Sequence, residues 1–181
     1  MIKFYIYTPQ YNLAKYLNSV IEPNIPKQHM LSSTQEFIEQ LSSLTLPNAH
    51  LFVSFDVQSL FTNIPLSEVI DLACDYVYKS GSVNCPKYDV RHFKKLLQFA
   101  TSGEFLYKDL VYKRFDGVSM GSPLAPTLAN LFLADLESKW VAASSAPVHY
   151  FRYVDDIFCI FDRNNDSHAN FLDFLNAQHP N

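Results

Sequence analysis

Asp155 and Asp156 are adjacent carboxylates set between two apolar runs, Tyr150-Phe151 before and Ile157-Phe158-Cys159-Ile160-Phe161 after. Two β-type runs joined through such a pair read as a hairpin with acids at its bend. Charges held against buried strands are costly unless something positive sits with them, and a divalent metal is the usual remedy. A third carboxylate, Asp56, ends another apolar strand, Leu51-Phe52-Val53-Ser54-Phe55. One acid closing a strand and two at a hairpin bend form the layout of a two-metal centre for nucleotidyl transfer, where paired ions activate a hydroxyl and stabilise the leaving pyrophosphate. Mg²⁺ takes oxygen ligands and keeps several waters, so two or three carboxylates suffice. Side chains alternate faces along a strand, so neighbouring acids share a site only near a bend. Taken alone, an Asp-Asp pair also suits a plain surface turn, because Asp is a common turn residue.

The elements that must position these acids are legible from periodicity. Leu13, Tyr16, Leu17 and Val20 have helical spacing over residues 10 to 21, and Pro23 and Pro26 stop that helix. Ser32 or Ser33 can cap a second helix with Phe37, Ile38 and Leu41 as its apolar face. Residues 51 to 56 read as a buried strand. Pro65 starts a helix over 67 to 79, with Val69, Ile70, Ala73 and Val77 inward and Gly81 ending it. Asp89 begins another, with Phe93, Leu96, Leu97 and Ala100 on one side. Phe105-Leu106-Tyr107 and Val111-Tyr112 flank Lys108-Asp109 as a hairpin. A turn segment from Asp116 to Pro126 precedes a helix with Leu128, Leu131, Phe132, Leu136 and Trp140 as its face. The acidic hairpin spans about 148 to 162, Asn164-Asn165-Asp166 is a turn and cap, and a last helix carries Phe171, Phe174 and Leu175. Met1 to Tyr7 is short and strand-like. This order of helices and antiparallel-type strands predicts an α+β domain.

Composition narrows the function classes. A chain of 181 residues with 48% hydrophobic and 15% aromatic side chains is globular. The three cysteines, Cys74, Cys85 and Cys159, have no C-x-x-C spacing, which argues against a zinc framework and for a reducing compartment. No histidine pairs with cysteine at ligand spacing. No run of about 18 apolar residues predicts a membrane span, and the N-terminus lacks the pattern of a signal peptide. The formal net charge of -4 argues against a free-standing nucleic-acid binder, which normally offers a basic surface.

Three ordered blocks reconcile an acidic chain with nucleotidyl chemistry. Phe55-Asp56-Val57-Gln58-Ser59-Leu60-Phe61-Thr62-Asn63-Ile64-Pro65 closely resembles the first catalytic block of reverse transcriptases of the Penelope-like retroelement group. Gly117-Val118-Ser119-Met120-Gly121-Ser122-Pro123-Leu124-Ala125-Pro126, continuing through Leu128-Ala129-Asn130, resembles the second, and Arg152-Tyr153-Val154-Asp155-Asp156 the third. Tyr11 to Leu17 resembles a segment that precedes the palm in that group, and the resemblance covers roughly residues 8 to 179.

The resemblance implies an RNA-directed DNA polymerase that adds deoxynucleotides to a primer 3′ end. Asp56 and Asp155 would be the main ligands of two Mg²⁺ ions, with Mn²⁺ as a substitute. Asp156 would be a secondary ligand or would orient the first, and the backbone carbonyl of Val57 would complete one metal. Phe61 stands where reverse transcriptases carry the aromatic that excludes a ribose 2′-hydroxyl; on its own it equally suits a core position beside Leu60. Met120 and Gly121 would help to hold the template and incoming nucleotide. Met120 stands where many other reverse transcriptases have Gln, and where the Penelope-like pattern has Met. Gly117 and Gly121 allow close approach of the backbone to a ligand. Arg152 reads as structural, packed beside the hairpin and balancing charge. Lys79, Lys87, Lys94, Lys95, Lys108, Lys113 and Arg114 are candidate phosphate contacts that equally suit solvated surface, and no nucleic-acid contact is assigned.

The partners implied are an RNA template, a DNA primer and deoxynucleoside triphosphates, without a membrane. The expected architecture is a reverse-transcriptase palm, an antiparallel sheet with packed helices, plus part of the fingers. Residues 1 to about 50 would form a fingers-side segment and about 51 to 181 the palm of one partial domain. The thumb, the basic part of the fingers and any endonuclease would belong to a longer parent, and their absence would explain the acidic balance. A nuclear setting would follow from the life cycle of such elements. Viral RNA-dependent RNA polymerases usually carry Gly-Asp-Asp and lack the aromatic gate, so Tyr153 and Phe61 argue against them. Telomerase catalytic subunits are near relatives, with a first block less like this one. The alternative of a different class is an inactive remnant with at most nucleic-acid or partner binding.

Overall fold

The computed structural model describes residues 9–46, 48–79, 81–108, 110–140, 147–163 and 168–179. The strand-like Met1 to Tyr7 and the turn at Asn164-Asn165-Asp166 lie outside the described residues. The chain divides into two compact units. One contains residues up to Pro26 and Ser59–Phe132; the other contains Lys27–Gln58 and Leu133 onward.

In the first unit, α1 (Pro9–Ile21) is followed by a 3₁₀ turn, Glu22–Asn24, set by Pro23 at its start. Asn24 then donates to the Val83 carbonyl at 2.8 Å and accepts from the Val83 amide at 2.7 Å, tying that turn to the loop beyond Gly81. Three residues on from the end of the turn the chain passes to the second unit, which contributes α2 (Thr34–Ser43) and β1 (His50–Asp56). The chain returns with a four-residue helix, α3 (Leu60–Asn63), which periodicity alone is too short to reveal. The predicted helix from Pro65 is α4 (Leu66–Tyr78), with Val69, Ile70, Ala73 and Val77 buried as expected and Cys74 beside them. Asp116 Oδ1 accepts from the Leu66 amide at 2.7 Å, satisfying a free donor at the start of α4. The helix expected from Asp89 is α5 (Val90–Thr101), and Asp89 caps it by accepting from the Arg91 amide at 2.8 Å. α1, α4 and α5 pack on one another around Leu17, Ile21, Val77, Phe93 and Leu97. The predicted hairpin is β2 (Glu104–Tyr107) and β3 (Leu110–Lys113).

α6 (Ala125–Trp140) starts in the first unit and ends in the second. A single apolar face was expected, yet Ala125, Ala129, Ala134, Asp135 and Glu137 are buried as well as Leu128, Leu131 and Phe132. A helix buried on most of its circumference shows little amphipathic signal.

The second unit is built on an antiparallel sheet in the order β1-β5-β4, where β4 is His149–Tyr153 and β5 is Asp156–Asp162. One face carries Leu51, Val53, Phe55, Tyr150, Ile157, Cys159 and Phe161, packed by Trp140 and by Phe171, Phe174 and Leu175 of α7 (His168–Asn176). The opposite face carries Ser54, Phe151 and Phe158, and Phe37 of α2 meets both phenylalanines edge-on, at 5.6 Å and 5.3 Å between ring centres. Ser33 caps α2, accepting from Glu36 at 3.2 Å. Two expectations fail here. Ile38, assigned to the inward face of α2, is 50% exposed, and β1 alternates exposed and half-buried residues instead of being buried throughout. A short helix on one edge of one sheet face covers only part of it, and β1 is an edge strand.

Burial pushes the Cys159 thiol up to about 12. In the unfolded chain it ionises near pH ~8.5. The stability carried by keeping it neutral is therefore complete below that pH and is lost as pH rises toward about 12. The effect reaches on the order of 4 kcal/mol if the full shift is expressed. Urea midpoints should fall as pH rises from about 8 to about 11, and Cys159→Ala should flatten that slope. A slope unchanged in the variant would remove the thiol from the account.

Candidate active site

The register of the sheet decides which acids meet. Asp56 and Asp156 are direct partners across β1 and β5, so both side chains leave the same face, the one that carries Ser54 and Phe158. Tyr153 pairs with Asp156 from β4, which extends the row to three residues. Both acids are exposed and Asp155 is half-buried. Asp155 and Val154 form the two-residue turn between β4 and β5. The Val57 amide donates to the Asp155 carbonyl at 3.0 Å, fastening the end of β1 to that turn. The register that pairs Asp56 with Asp156 and the hydrogen bond from Val57 to Asp155 thus set the three acidic positions at one end of the sheet.

Like charges facing each other across adjacent strands are unfavourable. No ion pair among the described residues involves Asp56, Asp155 or Asp156. Their donor chemistry fits a hard cation, since Mg²⁺ is commonly held by one or two carboxylates together with substrate phosphates. Among the described residues, no three His, Cys, Asp or Glu groups come close enough to enclose a metal by themselves. Beside Asp156 the same face opens a cavity of about 290 Å³ floored by Leu31, Phe37, Phe151 and Phe158.

Val154 carries the turn with φ 57°. Two-residue hairpin turns of the primed types require positive φ, normally supplied by Gly, Asn or Asp. A β-branched residue there is a genuine outlier. Periodicity did not show this strain. Nor did it show the contacts that Arg152 makes beside it. Arg152 is fully buried and pairs with Glu137 through Nε at 2.5 Å and Nη2 at 3.2 Å. Its remaining guanidinium nitrogen donates to the Val154 carbonyl at 3.0 Å. Arg152 is structural, as its sequence position implied; Glu137 went unrecognised, although a lone acid amid the apolar residues of α6 was the available signal.

Phe61, Met120 and Gly121 belong to the first unit. Phe61 is half-buried on α3, and its carbonyl accepts from the Val118 amide at 2.7 Å. Gly117 has φ +73°, and a Cβ there would lie 2.6 Å from the Thr62 carbonyl oxygen. The close approach that Gly117 allows is therefore to the backbone of residues 61–62, where a ligand had been expected. The second sequence block is fastened directly to the end of the first. Met120 is 55% exposed and Gly121 has φ 87° in a turn before α6. Of the candidate phosphate contacts, Lys94 pairs with Asp71, Lys79 lies 4.2 Å over the Tyr76 ring, and Arg114 donates to the Val118 carbonyl at 3.1 Å. Those cations serve local structure.

An antiparallel sheet with acids at one end and helices packed on it defines the palm type of polymerase fold. The family model described as reverse transcriptase (RNA-dependent DNA polymerase) matches residues 9–179, and the chain belongs to that family. Among solved structures, it is similar to telomerase from Candida albicans in complex with a fragment of telomeric RNA, with TM-score 0.62, 12% identity and coverage of 93% of this chain and 32% of that one. It is similar also to apo telomerase from Candida tropicalis truncated from its C-terminal domain, with TM-score 0.60, 13% identity and coverage of 95% and 37%. At such identities the likeness is one of fold, and the chain spans about a third of each telomerase chain. A comparison with curated protein sequences finds no match. No described helix is long and apolar enough to cross a membrane.

Proposed function

We propose that this chain carries the polymerisation centre of an RNA-directed DNA polymerase from a Penelope-like retrotransposon. The observation that carries the reading is the register pairing of Asp56 with Asp156 beside the Asp155 turn, inside a chain of the reverse transcriptase family. In this reading residues 1 to about 50 are the fingers-side segment and about 51 to 181 the palm of one partial domain. The substrates are an RNA template, a DNA primer and deoxynucleoside triphosphates.

Asp56 and Asp155 are the principal carboxylates for two Mg²⁺ ions, or Mn²⁺ in their place, with Asp156 and the Val57 carbonyl assisting. The ions, when bound, supply activation of the primer hydroxyl and neutralisation of charge on the departing pyrophosphate. The carboxylates fix where those charges are met, and catalysis is then mainly positioning. Phe61 is the wall against a ribose 2′-hydroxyl. Met120 and Gly121 border the nucleotide, the glycine leaving room for close backbone approach.

Primer extension on an RNA template with deoxynucleotides and Mg²⁺ or Mn²⁺ tests the activity. Phe61→Ala tests the selectivity: ribonucleotide use relative to deoxynucleotide use should rise about tenfold or more, the size expected when a small steric difference decides discrimination. An unchanged ratio would return Phe61 to an ordinary packing role. The second reading, a chain that binds nucleic acid or a partner without catalysis, is favoured by one observation, the lack among the described residues of three metal-capable side chains within reach of one ion. Template binding with no extension under either metal would support it.

A further inference from the structure

The strained turn that carries Asp155 receives a hydrogen bond from a buried ion pair. Val154 adopts φ 57°, a conformation that a β-branched L-residue resists. Its carbonyl accepts from Arg152 Nη1 at 3.0 Å. The other two nitrogens of the same guanidinium are fixed on Glu137, Nε to Oε1 at 2.5 Å and Nη2 to Oε2 at 3.2 Å. Glu137 is held in turn by the Tyr150 hydroxyl, which donates to Oε1 at 2.9 Å. Burial, then the neighbouring Glu137 carboxylate, pushes that hydroxyl well above the ordinary tyrosine range, so it remains a donor throughout neutral pH. The Arg152 and Glu137 side chains are 0% and 4% exposed. The Arg152 backbone is bound as well, its amide to the His29 carbonyl at 2.9 Å and its carbonyl to the Leu31 amide at 2.8 Å. Arg152 is thus held through both its backbone and its guanidinium, and Nη1 of that guanidinium reaches the turn.

Buried ion pairs are weak evidence for net stability, because desolvation offsets their attraction. Their value lies in geometry, since a planar guanidinium gripped along its Nε–Nη2 edge keeps Nη1 aimed in one direction. That direction is the Val154 carbonyl. We infer that Arg152, clamped by Glu137 and Tyr150, is a positioning residue that holds Val154 in its strained conformation and thereby fixes Asp155 at the tip of the hairpin. The inference names how the proposed active site is kept in shape and rests on that reading for its catalytic consequence. The geometry itself is testable without substrate.

The Val57 amide reports on the turn, because its acceptor is the Asp155 carbonyl. Amides of the central strand, Cys159 and Ile160, report on the sheet. In Glu137→Gln, hydrogen exchange at Val57 should accelerate about tenfold or more by local opening, while Cys159 and Ile160 stay within about twofold. Adding Val154→Gly, which removes the conformational strain, should restore most of the Val57 protection. If Glu137→Gln does not fold, Tyr150→Phe removes only the hydroxyl bond to Glu137, and the same two sets of amides should separate in the same direction. Unchanged Val57 exchange, equal loss at Cys159 and Ile160, or no rescue by Val154→Gly would overturn the inference. Where wild type extends primers, Glu137→Gln should lower kcat and leave the nucleotide KM unchanged. A separation of the amides with no extension by wild type would defeat the polymerase reading alone, and an active enzyme whose amides do not separate would defeat the positioning role alone.

Discussion

Asp56→Asn and Asp155→Asn should each abolish primer extension while leaving the fold intact. Losing a carboxylate that a divalent ion needs removes several kcal/mol of charge stabilisation in the transition state. About 4 kcal/mol corresponds to a rate loss on the order of a thousandfold. Asn keeps the shape of Asp, so packing is undisturbed. For Asp56 the register gives a second, opposite expectation. Its carboxylate faces that of Asp156 across adjacent strands, and no ion pair among the described residues balances it. Removing one of two facing like charges should stabilise the metal-free chain by about 0.2–1 kcal/mol. Asp56→Asn should therefore melt at the same temperature or slightly higher in chelator while its activity disappears. A residue whose loss helps the fold and destroys the reaction is retained for the reaction. Undiminished extension by Asp56→Asn or Asp155→Asn would remove that residue from the metal site. A large drop in melting temperature would show that the acids serve packing instead.

The second large effect concerns Gly117. Its substitution by Ala should destabilise the chain by about 3 kcal/mol or more, the range reached when a close-packed site is overfilled against backbone. A Cβ at 117 would stand 2.6 Å from the Thr62 oxygen, 2.9 Å from the Phe61 oxygen and 2.9 Å from the Thr62 carbonyl carbon. These are main-chain atoms that no rotamer can move aside. The positive φ of +73° adds the usual penalty for an L side chain. Gly81 separates the two contributions. It has φ +84°, yet nothing lies within 4 Å of its added Cβ. Gly81→Ala should cost only about 1 kcal/mol. Urea denaturation of both variants gives the comparison, and equal losses would show that conformation alone, without the clash, governs position 117. Because the Val118 amide binds the Phe61 carbonyl at 2.7 Å, Gly117→Ala should also disturb Phe61, and deoxynucleotide selectivity should weaken in whatever activity survives.

Most of the elements and the acidic positions are legible in the amino-acid order alone. Helices α1, α4, α5 and α7, the β2–β3 hairpin and the β4–β5 hairpin follow from spacing and from Pro, Gly and Asp at their ends, all of which are local properties. The bend at Asp155 follows from the same kind of signal, a polar pair between two apolar runs. What depends on partners distant in sequence was not legible. The register that sets Asp56 opposite Asp156 joins residues a hundred apart, and nothing near either one specifies it. The exposure of Ile38 depends on how little of α2 the sheet needs to cover it. The near-complete burial of α6 erases the amphipathic pattern that periodicity reads. The Gly117 contact with residues 61–62 and the Arg152–Glu137 pair are likewise meetings of separate segments. A charged side chain looks the same in a sequence whether it is solvated or buried on a partner. Only the tertiary structure shows that Arg152 has left water, that Glu137 accompanies it, and that the pair bears on the one strained residue beside Asp155.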